Sequence, residues 1–194
     1  MTTAALGLFT EHGFSGTTVA AIATAGVAPQ TVYATFGSKG EILHALLAQM
    51  EHDAGAESWR DRIAAEVDPR RKLEAFASWS ATMFSTNKAA IAAAHGAGSD
   101  PAIAEVKADA DRHRREALAS LVDEMGRSGA LRAGLSPGRA VDRAWMLTGV
   151  ELYLAATDAC DWSDTDYADW LAGLLAHQLL GDHGEAPAGP LSAT

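Results

Sequence analysis

Helix punctuation constrains this chain most. Between Gly26 and Leu43 the sequence GVAPQTVYATFGSKGEIL holds two signals that start a helix and two that stop one, leaving room for about two turns between them. Pro29 suits a first helical turn, because its missing N–H has no partner to lose there and its φ is already helical. Ala28 before it is pushed toward extended geometry, so a helix is predicted from Pro29. Val32 and Phe36, four residues apart, give that helix one buried face. Gln30, Thr31, Tyr33 and Thr35 are left pointing elsewhere. Gly37 stops the helix, and Ser38 with Glu41 is a capping box that opens the next, with apolar positions at Ile42, Leu43, Leu46, Leu47 and Met50. Lys39 sits at its first helical position, where the macrodipole disfavours a cation, so an anion is expected nearby.

The rest of the chain reads as helices too. Alanine and leucine dominate and runs of β-branched residues are absent, which predicts an all-α fold. Leu6 and Phe9 mark an opening helix that ends near Gly13. A second follows a Thr17 or Thr18 cap, with Val19 and Ile22 on its apolar face. The helix opened at Ser38 is expected to reach about residue 56, where HDAGAESW loosens the pattern. Further segments are predicted at about 69–86 (Leu73, Phe76, Met83), briefly at KAAIAAAHGAG, and from Pro101 to before Gly129 (Ile103, Val106, Leu121, Met125). Two more run at about 138–158 and 164–180, the first opened by Ser136 and Pro137. The tail GDHGEAPAGPLSAT has little to bury and is expected to be disordered.

Charge narrows the function classes. The 194 residues carry a net charge of −10 and 48% hydrophobic residues, enough apolar content for a core but the wrong overall sign for a general nucleic-acid binder. Any phosphate contact must be local. The single cysteine, Cys160, allows no internal disulfide and fits a reducing compartment. With no apolar run of about 18 residues and no signal-peptide pattern, a cytoplasmic location without membrane contact is expected.

Two helices joined by a tight glycine turn, the second short and polar outside, make a helix-turn-helix. The stretch LFTEHGFSGTTVAAIATAGVAPQTVYATFGSKGEIL resembles the DNA-binding head of the TetR family of bacterial transcriptional regulators. The resemblance covers about residues 4–50. It implies a three-helix DNA-binding head at 1–50, a helical ligand-binding and dimerisation domain at 51–181 and a tail at 182–194. The helix from Pro29 to Phe36 becomes the recognition helix in the major groove, with Gln30 and Thr31 at base edges. Thr18, Tyr33, Thr35 and Lys39 would bond phosphates and fix the register. Three features depart from the family pattern, the first being that the sequence opens inside the family's first helix, which is therefore expected to be shortened. One residue rather than two separates Ile22-Ala23 from Ala25-Gly26-Val27, a rotation of about 100° that the turn must absorb. Lys39 is also the only lysine or arginine in the first fifty residues, which implies a shallow salt dependence of DNA binding.

For the remainder the resemblance implies an effector pocket and a two-fold dimer. Trp59, Phe76, Trp79, Met83, Phe84, His95, Met146 and Tyr153 are the candidate pocket walls, suited to a small apolar or aromatic effector. Val141, Trp145, Tyr167, Trp170, Leu171 and Leu174, on the last two long helices, are the candidate dimer residues. The expected partners are therefore operator DNA, an effector and a second copy. No cofactor, metal or enzymatic activity is expected: neither EHD (Glu51–Asp53) nor DRHRRE (Asp111–Glu116) has metal-ligand spacing with a partner elsewhere, and no phosphate loop or serine elbow occurs. A helical dimer that keeps the pocket but has weakened DNA binding is the alternative.

Overall fold

The computed structural model describes residues 7–8, 39–91 and 101–181. Among these no strand occurs, and helices follow one another as α1 (Lys39–Asp53), α2 (Ala56–Ala65), α3 (Pro69–Thr86), α4 (Pro101–Arg127), α5 (Pro137–Leu147), α6 (Val150–Leu154) and α7 (Asp164–Leu179). The chain is all-α, as its composition predicts.

Local chemistry accounts for most of the boundaries. Gly55 takes a left-handed φ of 72° and its N–H bonds the His52 carbonyl at 2.9 Å, so α1 stops short of residue 56 and α2 starts on a new axis. A side chain would resist that φ. Pro69 opens α3 with Asp68 as its cap, the carboxylate accepting from the backbone N–H of Arg70 at 2.8 Å and Arg71 at 3.3 Å. Gly129, φ 71°, follows the end of α4, where the sequence places the stop. Ser136 stands in the N-cap position of α5 but makes no side-chain capping bond, so Pro137 is the stronger start signal there. At the head of α7 a complete capping box joins Ser163 and Asp166.

The helix expected at 138–158 is broken. α5 ends at Leu147, α6 restarts behind Gly149, and Ala155–Ala159 form a single π-helical turn. Sequence spacing missed this because Val141, Trp145, Thr148 and Leu152 keep helical intervals straight through the break.

The core lies between α3 and α7, whose contact is the most extensive in the described fold. Along α7, Tyr167, Leu171, Leu175 and Leu179 form one row at intervals of four and Ala168, Ala172 and Ala176 a second, and all seven are buried. α3 answers with Leu73, Phe76, Ala77, Ser80 and Ala81. The alanines let the two axes approach closely, while each fully buried leucine contributes about 1.5–3 kcal/mol. α4 adds Leu118, Leu121, Val122 and Met125. A short antiparallel clasp closes this end: Arg132 N–H donates to the Leu179 carbonyl at 2.8 Å and Gly181 N–H to the Ala130 carbonyl at 3.1 Å.

Candidate functional site

Beyond that leucine row, the interior turns aromatic. Phe76 meets Trp79 with ring centroids 5.8 Å apart. A second chain of rings runs outward: Phe84 to Tyr153 at 5.4 Å, Tyr153 to Tyr167 at 5.2 Å edge-on, Tyr167 to Trp170 at 6.0 Å, and Trp170 to Trp162 at 5.7 Å. It begins inside and ends at the surface, where Trp162 and Trp170 are over a third exposed.

Polar groups are few and fixed. The Tyr153 hydroxyl donates to Asp164 Oδ1 at 2.7 Å. Burial, then the Asp164 carboxylate, raises the Tyr153 phenol far above its ordinary range. Lys88 donates to Thr157 Oγ1 at 3.0 Å and pairs with Asp158, holding the Asp158 carboxyl below its usual value. Its ammonium also stands 5.8 Å from the Tyr153 ring centroid. At the α5 break, Arg114 Nη1 donates to the Trp145 carbonyl at 3.1 Å and Thr148 Oγ1 at 3.2 Å, Nη2 donates to Asp111 Oδ1 at 3.1 Å, and the guanidinium lies 4.9 Å over the Trp145 ring. A cation thus sits on a carbonyl that the broken helix leaves free, where the helix dipole favours it.

α1 is tied to this body at both ends. Ile42 and Leu46 are buried, and His44 Nε2 stands 3.5 Å from Asp109 Oδ2 of α4. Asn87, also buried, donates from Nδ2 to the Met50 carbonyl at 3.1 Å and the Met83 carbonyl at 2.9 Å, joining the end of α1 to the end of α3.

Residues 2–46 match the family model of bacterial regulatory proteins of the tetR family. That stretch carries the sequence signature of the tetR family's DNA-binding head. The chain's fold is similar to that of solved regulators. FadR from Bacillus halodurans, a fatty acid degradation regulator, superposes with a TM-score of 0.73 at 20% identity over 90% of this chain and 95% of that one. FadR from Bacillus subtilis, solved in complex with stearoyl-CoA, gives 0.72 at 19% over 90% and 95%. PfmR from Thermus thermophilus gives 0.65 at 23% over 91% and 97%. No curated protein matches. The matched head is that of DNA-binding transcriptional regulators.

Of the residues the sequence singles out for DNA, Thr18, Gln30, Thr31, Tyr33 and Thr35 lie outside the described residues, and Lys39 is described only as the first residue of α1. His95 also lies outside them. The remaining pocket candidates separate into three groups. Phe76 and Trp79 pair on α3, and Phe84 meets Tyr153 across helices. Met83 is half-buried with its sulfur near Asn87, and Trp59 is half-buried with Arg62 4.8 Å over its ring. Met146 needs correction: it is 62% exposed, because Val141, Ala144 and Thr148 define the inner side of α5 and residue 146 falls opposite.

The dimer candidates divide the same way. Val141, Tyr167 and Leu171 are buried within the single chain, and Trp145 is half-buried beneath Arg114. Their surface is taken up by the chain's own core, so the outer stripe of α7 is Trp170 and the half-buried Leu174 with Gly173 and His177. Sequence reasoning missed Trp162, Arg114 and Asn87. For Trp162 an exposed tryptophan beside a helix cap was the available signal. For the bonds by which Arg114 and Asn87 join helices none existed, because those acceptors, the Trp145 and Met50 carbonyls, lie 31 and 37 residues away.

Proposed function

We propose that this chain is a homodimeric TetR-type repressor released from its operator by a small, largely apolar effector. The match of residues 2–46 to the family head carries this reading. In it, Gln30 and Thr31 read base edges, while Thr18, Tyr33, Thr35 and Lys39 bond phosphates. The exposed Trp162–Trp170 pair and Met146 supply apolar area for a two-fold interface formed by α5 and α7, with Trp145 and Leu174 at its margin. The effector lies against Trp79, Met83, Phe84 and Tyr153, with Trp59, Phe76 and His95 as further walls. Its elongated apolar character draws support from the likeness to a regulator solved with stearoyl-CoA. An effector acts only if it binds one arrangement of the heads better than the other. α1 is the lever, gripped through Asn87 by α3 and through His44 by α4.

The experiment is a gel shift on the gene's own upstream DNA with two variants. Lys39→Ala weakens binding to every duplex alike, whereas Gln30→Ala changes the preference among operators. Equal effects of both on every site would overturn the assignment of roles. The weaker reading, a helical dimer with reduced DNA binding, draws on the single lysine among residues 1–50 and is favoured if the wild-type chain does not distinguish upstream from unrelated DNA.

A further inference from the structure

The outer stripe of α7 carries a different sign at each end. Toward its start, Asp166 and Asp169 are exposed beside the Trp162–Trp170 pair. Toward its end stand the exposed His177 and two arginines brought in from other segments. Arg132 donates to the His177 carbonyl, and Arg143 of α5 donates from Nη1 to the Gln178 carbonyl at 3.0 Å. Both guanidiniums lie where the helix dipole favours a cation. The result is one surface that is acidic at one end and basic at the other, on a chain whose net charge of −10 sets two copies against each other unless their contact is compensated locally.

Midway between the two ends lies Gly173, exposed on the same stripe. A glycine inside a helix weakens it, and a close approach by another backbone is a reason to keep one. Within its own chain Gly173 makes room for nothing, since a side chain added there would meet no other atom within 4 Å. At about 100° per residue, positions 166, 169, 170, 173 and 177 share one face about 100° wide, with Trp170 and His177 about 5 Å along the axis on either side of Gly173. A second α7 running antiparallel across Gly173 therefore sets acidic end against basic end twice over. A parallel one sets like charges together.

We propose that α7 is crossed at Gly173 by α7 of a second copy, antiparallel about a two-fold axis. Trp170 of each subunit then lies on His177 of the partner subunit, while Asp166 and Asp169 face the end that carries Arg132 and Arg143. This register rests on the dimer reading above and fixes which residues meet. The occupant of the stripe is a second copy because the one surface holds both halves of the match, as a two-fold contact requires. The missing side chain at the crossing lets the two helices come close enough for the exposed tryptophan to be covered.

The test is sedimentation equilibrium of the full chain beside far-ultraviolet circular dichroism, for wild type, Gly173→Gln, Asp169→Arg, His177→Glu and the double variant Asp169→Arg/His177→Glu. Gly173→Gln keeps its helicity, since glutamine favours a helix and meets nothing in its own subunit, and loses at least about tenfold in dimer affinity. Each single charge reversal weakens the dimer about threefold or more, and the double variant recovers most of that loss. Residues 169 and 177 are too far apart to meet along one helix, so recovery has to come from the partner. A folded Gly173→Gln chain with wild-type dimer affinity overturns the proposal. So does a charge reversal without effect, or a double variant no tighter than the weaker single one; these decide alone if Gly173→Gln does not fold. A dimeric wild type with any of these results keeps the dimer reading and loses the register, whereas a wild type that stays monomeric at every concentration loses both.

Discussion

Lys72 shows how one buried charge is kept. It stands on α3 with its side chain 10% exposed and pairs with Glu124 of α4, whose side chain is 41% exposed. The two partners are therefore unequal. Removing the carboxylate strands a cation away from water, while replacing the lysine leaves a carboxylate that solvent reaches. Glu124→Ala is expected to cost about 1–3 kcal/mol and Lys72→Met less than about 1 kcal/mol, and denaturant midpoints of the two variants check the order. Tyr167 makes a second prediction, with a defined sign. Its phenol is pushed up to about 12 from an ordinary 10.0, chiefly by burial. The folded chain keeps the proton to higher pH than the unfolded chain, so this contribution is complete below about 10 and lost as pH rises from 10 through 12. Urea midpoints measured across that window fall for wild type and fall less in Tyr167→Phe, where the Tyr153 phenol, raised further still, keeps part of the slope. The aromatic identity of such residues was legible in the sequence; which hydroxyl finds an acceptor depends on where Asp164 lies, fixed only by packing.

At the scale of elements, the break between α5 and α6 concentrates the interest. Gly149 opens it and Arg114, from a different helix, caps the free Trp145 carbonyl while Thr148 Oγ1 turns back to the Ala144 carbonyl at 2.9 Å. Arg114→Met removes the cap and is expected to cost about 1–2 kcal/mol. Hydrogen exchange of the amides from 145 to 152 should accelerate while that of α7 does not; uniform acceleration would mean that the arginine holds the whole bundle rather than the break. Elements whose signals are local were legible: α3 matches the predicted 69–86 because Pro69 and the Leu73–Phe76 spacing lie within it, and Gly129 and Pro137 mark boundaries by their own backbone limits. The division of 138–158 was not, since its cap comes from 31 residues away. The four-residue spacing of Tyr167 and Leu171 marks an apolar stripe on α7, and that stripe is buried. It could not say whether the stripe faces α3 or a second copy, because intervals of four serve both.

For the whole molecule, net charge and architecture must be reconciled. A chain of net charge −10 with a single lysine in its first fifty residues approaches DNA with little general attraction, so in the proposed dimer specificity must come from base edges and from two heads held in register about 34–36 Å apart. The interface is where that register is set. Trp170→Glu places a charge on the exposed rim of α7, and sedimentation should show the dimer weakened at least about tenfold, with the fold intact by circular dichroism. An unaffected dimer would remove Trp170 from the interface. The most direct measurement of the central claim is fluorescence anisotropy of a labelled duplex from the gene's upstream region against a scrambled duplex of equal length, over a salt series. The account predicts a dimer that prefers the upstream duplex, with a shallow dependence of affinity on salt. Equal affinity for both duplexes at every salt concentration would contradict it.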